Sequence, residues 1–150
     1  MERQIATTKE QSDRLLRCGV SADTADMTLR TETGEVNFSR YSLETELNFY
    51  GYDDPKRHIE IVPAWSLSAL LGLLPKEINI DCYPYRIGIY FESPDEPVIG
   101  NQWCLFYKPK KHNEKSHYID DVPMYATDLI ECAVLMVEWL TRHNIKLNEL

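Results

Sequence analysis

With 150 residues, 16 basic and 24 acidic side chains and a net charge of −8, the chain is sized for a single domain, residues 1–150. A domain of that length can fold without disulfides or metal. Its 43% hydrophobic, 11% aromatic and 27% charged composition excludes the disordered and fibrous classes. The acidic balance opposes broad, non-specific attraction to nucleic acid or anionic membrane and leaves room only for a local basic patch.

The opening, MERQIATTKEQSDRLL, has no apolar region of the secretory kind. No apolar run approaches the roughly 18 residues of a membrane span. Cys18, Cys82, Cys104 and Cys132 are scattered without a C-x-x-C pair and are expected to be reduced. Together these features lead to the expectation of a cytoplasmic protein.

Residues 8–18 predict a first helix. Thr8 and Gln11 have capping-box spacing, Leu15 and Leu16 supply an apolar face, and Gly19 is placed to end it. Ser21 is a cap for a second short helix in SADTADM. LRTETGEVNFSRY then predicts a hairpin, with turn material at Thr33-Gly34 and alternation at Val36 and Phe38. Gly51 and Pro55 make residues 41–57 an irregular, tyrosine-rich loop. HIEIV, 58–62, alternates like a brief strand, which Pro63 should close because proline cannot donate to a ladder.

PAWSLSALLGLLP, 63–75, is the most apolar stretch of the chain. Ser66 is a good N-cap, Trp65 and Leu70 have hydrophobic-staple spacing, and Leu67, Leu70, Leu71 and Leu74 share a stripe. Pro75 disfavours helical geometry at Leu74, so a buried helix of about two turns is expected. PYRIGIYFE follows, with Tyr85, Ile87, Ile89 and Phe91 alternating with Arg86, Gly88, Tyr90 and Glu92, a period that places the first row inside. QWCLFY, 102–107, is a second strand with Trp103, Leu105 and Tyr107 on one face, expected to pair antiparallel with the first. SHYI adds a third. From Thr127 as N-cap to about His143, Leu129, Cys132, Ala133, Met136, Val137 and Leu140 keep helical spacing, with charges placed as the helix dipole prefers. The fold class is therefore α+β: a small antiparallel sheet packed against a long C-terminal helix and shorter N-terminal and central helices.

Chemistry is sparse. Asp54, His58 and Glu60, beside Asp53, are the candidate catalytic residues, since an acid near a histidine suits acid–base work. A solvated loop explains the same residues. His112 and His117 lack a third ligand, so no metal is expected, and no cofactor either. Pro94-Asp95 has no matching acid-x-lysine on a strand, and phosphate-loop, dinucleotide, serine-elbow and zinc-helix motifs are all absent. An enzyme is unsupported.

The one basic concentration is YKPKKHNEK. Its Lys108, Lys110, Lys111 and Lys115 beside aromatic residues are the candidates for nucleic-acid contact, although the acidic chain makes nucleic acid the lesser expectation. The leading expectation is a non-enzymatic accessory module that binds another protein or its own copy. Trp65, Tyr50 and Tyr52 are the partner-binding candidates.

VPAWSLSALLGLLPKEI, with KEQSDRLLRCGVSADTADM and the ending VEWLTRHNIKLNEL, resembles a group of small proteins of gut Bacteroidales associated with prophages and mobile elements. The PAWSLSALL segment is the distinctive part. The resemblance implies a bacterial protein and brings no catalytic residues with it.

Overall fold

The computed structural model describes residues 4–32, 35–39, 59–92, 102–110 and 124–148. Helix α1, Lys9–Arg17, begins where the sequence places it. Thr8 Oγ1 accepts from the Gln11 backbone N–H at 3.2 Å while Gln11 Oε1 accepts from the Thr8 N–H at 3.0 Å. Two of the donors that every helix start leaves orphaned are thereby satisfied. At the other end Gly19 takes φ +88°, and the Val20 and Gly19 amides donate back to Leu15 and Leu16 carbonyls. Leu15 and Val20 are both buried, which completes a Schellman stop with its apolar contact. Ser21 caps only a single 3-10 turn, Ala22–Thr24.

The chain groups into two compact units, Met1–Leu71 with Leu150, and Gly72–Glu149. The division falls inside a helix, where no shift in composition marks it. In the first unit, β1 (Met27–Glu32), β2 (Glu35–Ser39) and β3 (Ile59–Ala64) form an antiparallel sheet in the order β2-β1-β3. The predicted hairpin is present, with Leu29 opposite Phe38; its Thr33-Gly34 turn lies outside the described residues. Pro63 does not close β3 as expected. The strand runs through it to Ala64, with Pro63 opposite Thr28. Among the described residues β3 pairs with β1 alone, and an edge strand tolerates a proline that donates nothing outward.

The N-terminal segment is stitched to the residue after β3. The Thr7 amide donates to the Trp65 carbonyl at 2.9 Å, and Thr7 Oγ1 accepts from the Trp65 amide at 3.0 Å. That hydroxyl also shares a proton with Ser12 Oγ at 2.8 Å, and both side chains are fully buried.

Helix α2, Leu67–Leu73, is the short central helix. Ser66 Oγ caps it from the Ala69 amide, and Asp26 in turn accepts from the Ser66 amide and hydroxyl. Leu70, Leu73 and Leu74 are its buried leucines, while Leu67 and Leu71 are half-buried.

In the second unit, β4 (Glu77–Ile80), β5 (Tyr83–Glu92), β6 (Gln102–Pro109) and β7 (Met124–Ala126) form an antiparallel sheet in sequential order. The β5–β6 pairing was expected; β4 and β7 were not, and SHYI lies outside the described residues. Asp81 and Cys82, at φ +50° and +69°, form the two-residue β4–β5 turn with the mirror-image twist that hairpins prefer. Helix α3, Leu129–Arg142, packs on β6 and β7. Its N-cap is Asp128 rather than Thr127: the Asp128 carboxylate accepts from the Ile130 amide at 2.7 Å. Asn144, at φ +57°, ends it, with the Ile145 and Asn144 amides returning to Leu140 and Thr141. Asn148 then reaches the carbonyls at the end of α2: its side-chain amide donates to Gly72 and Leu74 at 3.0 Å, and its backbone to Leu73 at 2.9 Å.

The fold class is α+β, with two antiparallel sheets where the sequence suggests one. Among the described residues no helix is long and apolar enough to cross a membrane.

Candidate functional site

Register assigns each residue of the four-stranded sheet to a face. Ile78, Tyr85, Leu105 and Tyr107 share one face and are buried. Burial raises the Tyr107 hydroxyl above the ordinary tyrosine range, and that hydroxyl donates to the Pro75 carbonyl at 2.7 Å. The row Tyr85, Ile87, Ile89, Phe91 is inside only at its beginning. Ile89 is 42% and Phe91 49% exposed, and Phe91 packs on Trp103 at 5.0 Å between ring centroids. Alternation fixed the side of each residue; how far the covering elements reach along β5 is a tertiary matter.

The opposite face carries the more distinctive set. Glu77, Arg86 and Lys108 lie side by side across β4, β5 and β6. Gly88 and Phe106 form the next row, and Tyr90, Cys104 and Tyr125 the one after. Phe106 lies over Gly88 so closely that a Cβ there would come within 2.7 Å of Cε2 and 3.1 Å of Cε1. Only glycine leaves space for the ring against the backbone. Tyr90 meets Phe106 at 5.5 Å and 58°, a tilted aromatic pair. The Tyr90 and Tyr125 hydroxyls are 3.3 Å apart, and the two residues are 42% and 44% exposed. Hydrogen bonding to Tyr125 first, then to Cys104, holds the Tyr90 hydroxyl above its ordinary range, so it stays a neutral donor and acceptor. Cys104 is fully buried in this row.

Arg86 and Lys108 are exposed and directly opposed, while Lys110 pairs with Glu77 at 3.3 Å. Of the basic candidates, Lys108 and Lys110 thus border the aromatic face. Lys111 and Lys115 lie outside the described residues.

Of the other candidates, Glu60 and Trp65 fall within the described residues. Glu60, on β3, is engaged by Lys9 at 2.9 Å, an ion pair in the other unit. Asp53, Asp54 and His58 lie outside the described residues, as do Tyr50 and Tyr52. Trp65, expected as a docking residue, is fully buried, and its indole N–H donates to Thr24 Oγ1 at 2.9 Å. It belongs to the core, because a side-chain partner 41 residues away was invisible to local spacing.

The cysteines differ in burial: Cys82 is exposed, Cys18 half-buried, and Cys104 and Cys132 buried. The Cys132 thiol is buried, donates to the Trp103 carbonyl and is pushed up to about 11 chiefly by that burial, which keeps it a protonated, inert thiol. No group of three His, Cys, Asp or Glu able to hold a metal occurs among the described residues. Sequence reasoning missed the assembly of Arg86, Tyr90, Phe106 and Tyr125. The alternation of β5 carried half the signal, putting Arg86, Gly88 and Tyr90 on one side, whereas three-residue β7 offers no period from which Tyr125 could be placed. Compared with known proteins, the chain matches no family model, no curated protein and no solved structure.

Proposed function

We propose that this chain is a non-enzymatic binding module, an accessory protein of the bacterial mobile-element kind that its sequence resembles, working through the open face of the β4–β7 sheet. The observation that carries the reading is the Tyr90–Phe106–Tyr125 cluster: two exposed tyrosines beside a half-buried Phe106 on the regular face of a sheet, where solvent-facing positions are ordinarily polar. Tyrosine suits such a role, because a rigid apolar ring and a polar tip lose little conformational entropy on contact.

The test is capture from bacterial lysate by the tagged full chain and by its Tyr90→Ala, Tyr125→Ala variant, with and without nuclease, read by mass spectrometry. The wild-type chain is expected to retain a stoichiometric partner that the variant loses while keeping its circular dichroism. Identical captures by the two proteins, of protein and of co-purified nucleic acid alike, would remove the face from consideration.

A further inference from the structure

We propose that the open face of the β4–β7 sheet binds single-stranded nucleic acid, with Phe106, Tyr90 and Tyr125 as the stacking surface and Arg86 and Lys108 as the phosphate contacts. The proposal rests on the reading of this face as the binding surface and names its occupant.

Arg86 and Lys108 are the first ground. Like charges directly opposite in a ladder destabilise it, and neither side chain has an ionic partner among the described residues. Glu77 stands opposite Arg86 on its other side and offsets part of that repulsion, so the row keeps a net positive charge that an anion lying across Arg86 and Lys108 would neutralise. Lys110, drawn to Glu77, adjoins the same row.

The spacing of the rows is the second ground. Same-face rows are two residues apart, so the cation row, the Phe106 row and the Tyr90–Tyr125 row follow one another at about 7 Å. That interval is comparable to one extended nucleotide, so a strand with its phosphates on Arg86 and Lys108 lays successive bases over Phe106 and the tyrosines. Gly88 lets the Phe106 ring lie against the backbone, which turns its other side outward. Stacking needs unpaired bases, and a duplex hides its base faces, so the ligand is single-stranded. Tyr90 and Tyr125 add hydroxyls that can meet base edges.

The net charge of −8 sets the character of the complex. Long-range steering is unfavourable, so affinity comes from short-range stacking and about two phosphate contacts. For single strands this gives a slope of about −1.4 in log K against log salt, far shallower than that of a basic nucleic-acid binder.

The experiment is fluorescence anisotropy of a labelled mixed-sequence 12-mer, as DNA, as RNA and as the matching duplex, titrated with the full chain over a salt series. Both single strands bind if the phosphate and base faces suffice, and RNA alone binds if a ribose hydroxyl is read; the duplex binds at least about tenfold more weakly. Tyr125→Ala lowers affinity at least about fivefold, the low end for one stacked base. Lys108→Glu weakens binding and flattens the salt slope, whereas Arg17→Glu, the same charge change on exposed α1, has little effect. Failure of both single strands to bind, or equal loss with Lys108→Glu and Arg17→Glu, overturns the proposal. If no oligonucleotide binds but the Tyr90→Ala, Tyr125→Ala variant still loses a nuclease-resistant protein partner, the occupant is a protein and the face stands. If that loss is missing too, both readings fall.

Discussion

Replacing Gly88 by alanine tests whether the Phe106 ring is held on the sheet in the way described. Outside that contact the change should help, since alanine in a regular element is favoured over glycine by roughly 0.5–1 kcal/mol. Here the new methyl meets Cε2 at 2.7 Å, a separation that real Cβ atoms essentially never show, so the ring must move. A phenylalanine buries about 150–250 Å². Uncovering roughly a third of that costs about 1.3–2 kcal/mol at 25 cal/mol per Å². Loss of the tilted contact with Tyr90 adds about 0.5–1.5 kcal/mol. After the alanine gain is subtracted, Gly88→Ala should destabilise by about 1–3 kcal/mol, a fall of about 2–12 °C in melting temperature for a chain of this length. The decisive assay is a double-mutant cycle by urea denaturation. In a Phe106→Ala background nothing opposes the methyl, and Gly88→Ala should turn stabilising by about 0.5–1 kcal/mol. A cost of the same size in both backgrounds would refute the ring-on-glycine account and point to backbone strain instead.

Three further outcomes follow from the hydrogen bonds and burial described above. Thr7→Val keeps the shape of the side chain but strands the buried Trp65 amide and the Ser12 hydroxyl. It should cost about 2–4 kcal/mol in urea denaturation, well above Thr7→Ser, and a Val variant as stable as Ser would show that the hydroxyl is dispensable. The thiols should separate by reactivity: at pH 8 a disulfide reagent should label exposed Cys82 first, with Cys104 and Cys132 waiting for denaturant. The folded Cys132 thiol holds its proton to about 11 against an ordinary value of 9.0. Its stabilising effect is therefore whole below about pH 9 and lost between there and pH 11, and Cys132→Ala should flatten that part of the stability–pH curve.

The legible parts of the fold were those decided within a few residues. Thr8 with Gln11, Gly19 and Ser66 act as read, because a cap is an interaction between a side chain and a backbone group three or four positions away. Thr127 and Asp128 are both competent caps, and one-residue ambiguity at a helix start is ordinary; the carboxylate won. Strand β4 left a trace in the alternation of Glu77, Ile78, Asn79 and Ile80, with hairpin residues after it. Strand β7, with three residues, left none. The face that emerged as the candidate site depends on pairings 14 to 35 residues apart, and no local pattern carries them. Trp65 is the converse: a conspicuous residue whose neighbours, Thr7 and Thr24, are remote in sequence, and which is structural for that reason.

Asn148 imposes an order on the birth of this molecule. It reaches carbonyls 74 and 76 positions earlier in the chain, so the end of α2 stays without these partners until residue 148 has left the ribosome. At about 5–20 residues per second, synthesis of the intervening stretch takes several seconds or more. The local elements, α1 with its capping box above all, can form and re-form many times in that interval, since helices relax within about a microsecond. The second unit therefore cannot complete its set of contacts before residue 148 has emerged. It must close late, after the whole of α3 is available, and until then the chain waits with apolar Leu73 and Leu74 lacking their final enclosure.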